Sequence, residues 1–142
     1  LLLFVTICTF SQSRFKQKGE QIKALKVAYI TDKLQLTSDE AAKFWPLYNA
    51  FDDKQRELKH DKMRSYMSRL DGGEVDKMND AAATNFLNQM ESTEDEMYAF
   101  RKKFIANLKN VISPIKIIKL KKAEEGFNRK LLQQYRDKGI AK

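Results

Sequence analysis

Few residues in this chain could carry chemistry. His60 is its one histidine and Cys8 its one cysteine. Glu57 stands three residues before His60, about one helical turn, so a carboxylate and an imidazole could share one side of a helix and supply half of a metal site. Transition-metal sites recruit several imidazoles or thiolates. His60 is therefore expected as a solvated side chain on a charged stretch, and no metal site is assigned. A second concentration is acidic: Glu91, Glu94, Asp95 and Glu96 lie close together. Paired carboxylates do acid–base work when burial drives their pKa values apart. Set among Met90, Met97 and Phe100, these four are expected on the solvated side of a helix. The chain has no G-x-S-x-G, no H-E-x-x-H and no glycine-rich phosphate loop. Neither catalysis nor a cofactor is expected, so any activity must reside in surfaces.

The richest surface candidate is basic. Residues 101–142 hold 13 Lys and Arg against 3 Asp and Glu, whereas residues 1–100 hold 14 against 16. In that last third Arg101, Lys102, Lys103, Lys109, Lys116, Lys119, Lys121, Lys122, Arg129 and Lys130 interleave with Phe104, Leu108, Ile117, Ile118 and Phe127. A basic groove with aromatic rungs can take single-stranded nucleic acid, but export, argued below, removes that partner. The same surface suits an unfolded polypeptide, because positive charge speeds encounter and apolar strips then hold exposed side chains. Of these, Arg101, Lys102, Phe104, Leu108, Lys109, Lys116, Lys119 and Phe127 form the candidate client-binding face. Taken singly, each has a plainer expectation, with Phe104 and Phe127 in the core and the lysines around its rim. Met63, Met67, Met78, Met90 and Met97 fall in the middle of the chain, where thioethers can either fill core gaps or adapt to varied partners.

The elements that must position these residues are helices. A length of 142 residues suits one domain, and five glycines with two prolines leave little material for turns. Leu1 to Phe10 is an uncharged apolar run, too short for a membrane span, which needs about 20 such residues. It has the character of a secretory core segment. Thr9 and Ser11 fit a cleavage site, so residues 1–11 are read as a signal peptide and residues 12–142 as a single helical domain. That domain would sit in the periplasm, with no membrane span after cleavage. Cys8 falls inside the leader, and Ile7 before it is too large for a lipoprotein site.

Downstream, four helices are expected, over about 19–35, 38–70, 76–111 and 114–136. Thr37 with Glu40 three residues on makes a capping box for the second. Pro46 lies well inside that helix and predicts a kink near Ala42–Pro46. Asp71-Gly72-Gly73 breaks it. In the third helix, Met90, Met97, Phe104 and Val111 recur every seven residues, and Phe86, Thr93, Phe100 and Asn107 form a second such row. Together they make a seam that requires a partner helix. Ser113 and Pro114 suit the cap and first position of the fourth helix. Helices two and three, each ~50 Å long at ~1.5 Å per residue, must fold back as a long antiparallel hairpin. The fold class is all-α.

Two stretches carry a family resemblance. Leu36-Thr37-Ser38-Asp39-Glu40 resembles the LTxxQ motif of Spy/CpxP-like periplasmic proteins. The following Phe44-Trp45-Pro46-Leu47-Tyr48 resembles a branch of that family often labelled as sensors of an extracytoplasmic-function sigma factor. Ile112-Ser113-Pro114 stands where the family repeats the motif. Glu40 and Lys116 occupy the places of its glutamines, so glutamine-mediated contacts do not carry over. The resemblance implies a four-helix fold assembled as a cradle-shaped antiparallel homodimer. It also implies an ATP-independent chaperone for unfolded clients, or a stress-response accessory binding a sensor kinase or anti-sigma factor.

Overall fold

The computed structural model describes residues 8–140, with side chains from Lys16 to Gly139. Among these residues every regular element is helical, in the order α1 (Cys8–Leu34), α2 (Ser38–Glu57), α3 (Arg64–Asp71), α4 (Asp80–Leu108) and α5 (Pro114–Ile140). A π-helical segment, Leu58–Met63, joins α2 to α3 without a break, so residues 38–71 form the expected second helix. The fold is all-α with four long helical stretches. The leader expected over residues 1–11 falls mostly outside the described residues; α1 begins within it, at Cys8.

The described residues group into two units, Ser38–Ser113 and the α1/α5 pair from either side of it. The first unit is the expected antiparallel hairpin. Phe51 stacks on Phe104 with ring centroids 4.0 Å apart, and Tyr48 meets the same ring at 6.2 Å. Further along, Lys62 pairs with Glu96, and Tyr66 meets Phe86 edge-on. Partner numbers fall on α4 as they rise on α2 and α3, as an antiparallel pair requires. Both heptad rows of α4 supply the inner face: Phe86, Thr93 and Phe104 are buried, and Met90, Met97 and Phe100 half-buried. The partner that the seam requires is therefore the chain's own second helix.

The π segment explains how that face is kept. Upstream, Phe44, Tyr48, Phe51 and Leu58 recur at three, four and seven, and all are buried. The next inward residues are Met63 and Tyr66, and Leu58 to Met63 is a step of five. An α-helix would swing Met63 off the stripe; a π turn takes up the extra residue and brings it back. The helix also runs on through Pro46, and the departure from α geometry comes at Leu58–Met63, well beyond the expected Ala42–Pro46. Tyr66 is thereby placed to bond Thr93, the one buried polar side chain among the described residues. Its hydroxyl lies 3.0 Å from Thr93 Oγ1, which itself donates to the Gln89 carbonyl at 2.9 Å.

The turn after α3 holds Gly73 at φ 73°, a left-handed conformation that glycine adopts without cost. α4 starts at Asp80, later than the expected residue 76, because Asn79 caps it: Asn79 Oδ1 accepts from the Ala82 amide at 2.8 Å. It ends at Leu108, three residues before Val111.

In the other unit α1 packs along α5. Tyr29 tilts against Phe127 at 5.8 Å, with Ile30, Leu34, Leu120 and Ala123 buried. Gly126 permits this approach, because a Cβ there would come within 2.7 Å of the Tyr29 hydroxyl. α1 ends at Leu34, and Gln35 follows at φ 50°, the left-handed position that commonly terminates helices.

Candidate binding surface

The motif residues begin helices and fill core. α2 starts at Ser38, so Thr37 holds the cap position, with Glu40 half-buried in the first turns and Leu36 half-buried before it. Phe44 and Tyr48 are buried and stacked, Trp45 is half-buried edge-on to both, and Pro46 is exposed. Ile112 is buried, and Ser113 precedes Pro114, the first residue of α5. Lys116, standing at the second glutamine place, donates through Nζ to the Gln35 carbonyl at 2.8 Å. A cation on the carbonyls that close α1 is favourably placed, since helix C-termini carry partial negative charge. This lysine ties the end of α1 to the start of α5.

The candidate client-binding face is corrected by burial. Phe104, Leu108 and Phe127 are 9%, 0% and 6% exposed, so none of its apolar rungs faces solvent. The reason is angular: successive helical residues turn by about 100°, so Arg101, Lys102 and Lys109 adjoin Phe104 and Leu108 in sequence yet look elsewhere. Arg101, Lys102, Lys109 and Lys119 are exposed, and Lys116 is half-buried. Arg101 to Lys109 belong to the hairpin and Lys116, Lys119 and Phe127 to the α1/α5 pair.

The exposed apolar residues of the basic third are others. On α5, Leu120, Ala123 and Phe127 form the buried row. Ile115 and Ile118 lie on the opposite side, 67% and 72% exposed. Lys119 and Lys122, at four and seven residues from Ile115, share that side and are also exposed. The sequence pattern already set Ile118 among these lysines but missed Ile115, although the buried row locates it: counting at 100° per residue from Leu120 puts 115, 118, 119 and 122 away from α1.

His60 sits exposed in the π segment, and Glu57 pairs with Lys54 at 3.4 Å. Among the described residues no group of three or more His, Cys, Asp or Glu side chains could hold a metal ion. Nor is any helix there long and apolar enough to cross a membrane. Glu91, Glu94, Asp95 and Glu96 are exposed, as expected for the solvated side. Glu96 is held below its ordinary pKa, chiefly by the hydrogen bond from Lys62, and Lys62 is raised by the same bond. Comparison of the chain with protein-family models, curated proteins and solved structures found no match in any of the three.

Proposed function

We propose that this protein is a chaperone-like factor of the periplasm that binds unfolded or misfolded polypeptides without nucleotide, on a basic, part-apolar face. The observation that carries the reading is the outer side of α5, where Ile115 and Ile118 stand exposed among Lys119 and Lys122. An apolar client segment laid there removes both isoleucines from water. Full burial of such a side chain contributes about 1.5–3 kcal/mol, so two of them support weak, reversible contact rather than tight capture. The lysines attract segments that carry carboxylates and hasten their arrival. The apolar run Leu1–Phe10 supports export, and the motif residues Leu36, Thr37, Phe44, Trp45, Pro46 and Tyr48 support the Spy/CpxP-like setting.

Light scattering of a reduced or heat-stressed client, with the protein in several-fold molar excess, tests the proposal. Aggregation should slow, and Ile115→Ser with Ile118→Ser should remove most of the effect while helicity stays unchanged. Absence of any suppression by the unaltered chain sinks the reading.

A further inference from the structure

The α1/α5 pair turns two outer sides away from its core, and they differ. On α1, Ile30 and Leu34 are buried, and Gln21, Leu25, Ala28 and Asp32 lie opposite them, all exposed. Those four residues include one large aliphatic side chain, one acid and no cation. On α5, residues 115, 118, 122, 125, 129, 132 and 136 follow one another at steps of three and four, so they make one row opposite Leu120, Ala123 and Phe127. Every residue of the row is exposed. Ile115, Ile118 and Leu132 are 67%, 72% and 61% exposed. Lys122, Arg129 and Arg136 stand between and beyond them, and Glu125 is the row's one acid. Lys119 and Lys121 flank the row. None of these five cations has an ion-pair or hydrogen-bond partner among the described residues.

The row is straight and runs ~30 Å at ~1.5 Å per residue. Its aliphatic side chains form no single patch, because Ile118 and Leu132 stand about four turns apart with cations between them. A folded partner that took all three would need holes spaced to match. A bilayer surface needs no such match: its headgroup–acyl boundary accepts aliphatic side chains anywhere along a helix lying in its plane, and its anionic headgroups meet the cations between. Lysine and arginine suit that boundary, since their stems lie along apolar surface while the charged heads reach phosphate. A polynucleotide would take the cations and leave the aliphatic residues in water.

We propose that the outer row of α5 docks the protein on an anionic phospholipid surface, with α5 lying in the plane of the interface and α1 turned away from it. The charges draw the helix to the surface and set which side faces it, and Ile115, Ile118 and Leu132 then enter the boundary. The orientation follows from the contrast between the two outer sides, since α1 would present an acid and a single leucine. This docking does not rest on client binding. Arg129, Leu132 and Arg136 lie beyond the residues that carry that reading. The two share Ile115 and Ile118, so lipid and client would compete for one end of the row.

The test is flotation of the full chain with vesicles of equal parts phosphatidylglycerol and phosphatidylcholine, against vesicles of phosphatidylcholine alone. The chain should float with the first and not the second, and binding should fall as salt screens the contact. Arg129→Gln with Arg136→Gln should lower partitioning about 30-fold, and Leu132→Ser about tenfold. Leu25→Ser, on the outer side of α1, should leave it unchanged. All four positions are exposed, and circular dichroism should show helicity unchanged. No binding to the anionic vesicles, or equal binding to both kinds, would overturn the proposal. So would a loss in Leu25→Ser as large as in Leu132→Ser. If Leu132→Ser has no effect while the arginine variant does, the row binds phosphate without acyl chains, and docking on a bilayer is wrong. A chain that slows client aggregation yet ignores vesicles would overturn this inference and leave the chaperone reading standing.

Discussion

The two helical pairs of this molecule hold themselves together by different means. In the hairpin, aromatic rings stack across the interface, and polar ties run between oppositely charged or hydrogen-bonding side chains: Phe51 on Phe104, Lys62 on Glu96, Tyr66 on Thr93. In the α1/α5 pair one tilted aromatic contact, Tyr29 on Phe127, is accompanied by cations on ring faces and a carbonyl, with Lys33 also pairing with Asp32 at 3.9 Å. Lys33 and Lys130 lie over the Tyr29 ring at 5.5 and 5.9 Å, Lys18 over Tyr135 at 5.3 Å, and Lys116 on a backbone carbonyl. The cause is composition. Residues 101–142 contain only Glu124, Glu125 and Asp137 as acids, so many of their lysines must find ring faces, carbonyls or water. A segment so short of internal carboxylates carries a net positive field.

The hairpin is expected to fail first when a ring is removed. Phe51 is 8% exposed and stacks on Phe100 as well as Phe104, so Phe51→Ala should cost about 3–5 kcal/mol. Thermal unfolding followed by circular dichroism would show it. A loss below about 1 kcal/mol would mean that the stack is not what binds α2 to α4, and the contrast between the two pairs would fall.

The helix order, the hairpin and the inward rows of α4 were legible because seven-residue periodicity and an Asp-Gly-Gly break are strong local signals. The π segment was not, since pattern reading at three and four skips a step of five; the slip from Leu58 to Met63 was nevertheless visible. α4 starts later than residue 76 because Asn79, a residue suited to capping, opens the helix at Asp80. At the candidate surface, neighbours in sequence were taken for neighbours on a face. Phe104 and Phe127 went to the core, as the plainer expectation for each had it, and so did Leu108, while Ile118 and the unflagged Ile115 lie in water. Lys116 was grouped with the binding residues, and nothing in its local sequence reveals that Gln35, far back in the chain, would present it with a carbonyl.

A smaller effect sharpens the α1/α5 side. Gly126 weakens its helix, and alanine would gain up to about 1 kcal/mol in propensity. Its Cβ, however, would crowd the Tyr29 hydroxyl at 2.7 Å, and overpacking costs about 1–3 kcal/mol. Gly126→Ala should therefore be mildly destabilising. Tyr29→Phe combined with it removes the obstructing oxygen, and the double variant should unfold at higher temperature than Tyr29→Phe alone. If Gly126→Ala by itself stabilises the chain, Tyr29 does not need the glycine, and close approach is not what joins this pair.

The least effect belongs to the hairpin's ion pair, and its sign is set by the direction of each shift. Glu96 lies below its ordinary value of 4.5 because Lys62 donates to it. Its contribution is thus complete above pH 4.5 and is lost as pH falls through the lower folded value. Lys62 is raised above its ordinary 10.5, chiefly by the same bond, so its contribution is present below that pH and is lost on going further alkaline. Both side chains are nearly half in water, at 47% and 44%, and exposed pairs contribute little. Glu96→Gln should therefore leave the melting temperature at neutral pH nearly unchanged while flattening its decline below pH 4.5. The contacts of Lys18, Lys116 and Lys130 in the α1/α5 pair, made to rings and a carbonyl, should show no matching acid loss, because neither a tyrosine ring nor a peptide oxygen takes up a proton there. An acid decline as steep in the Glu96→Gln variant as in the unaltered chain would place the sensitive carboxylate elsewhere and remove this distinction between the two pairs.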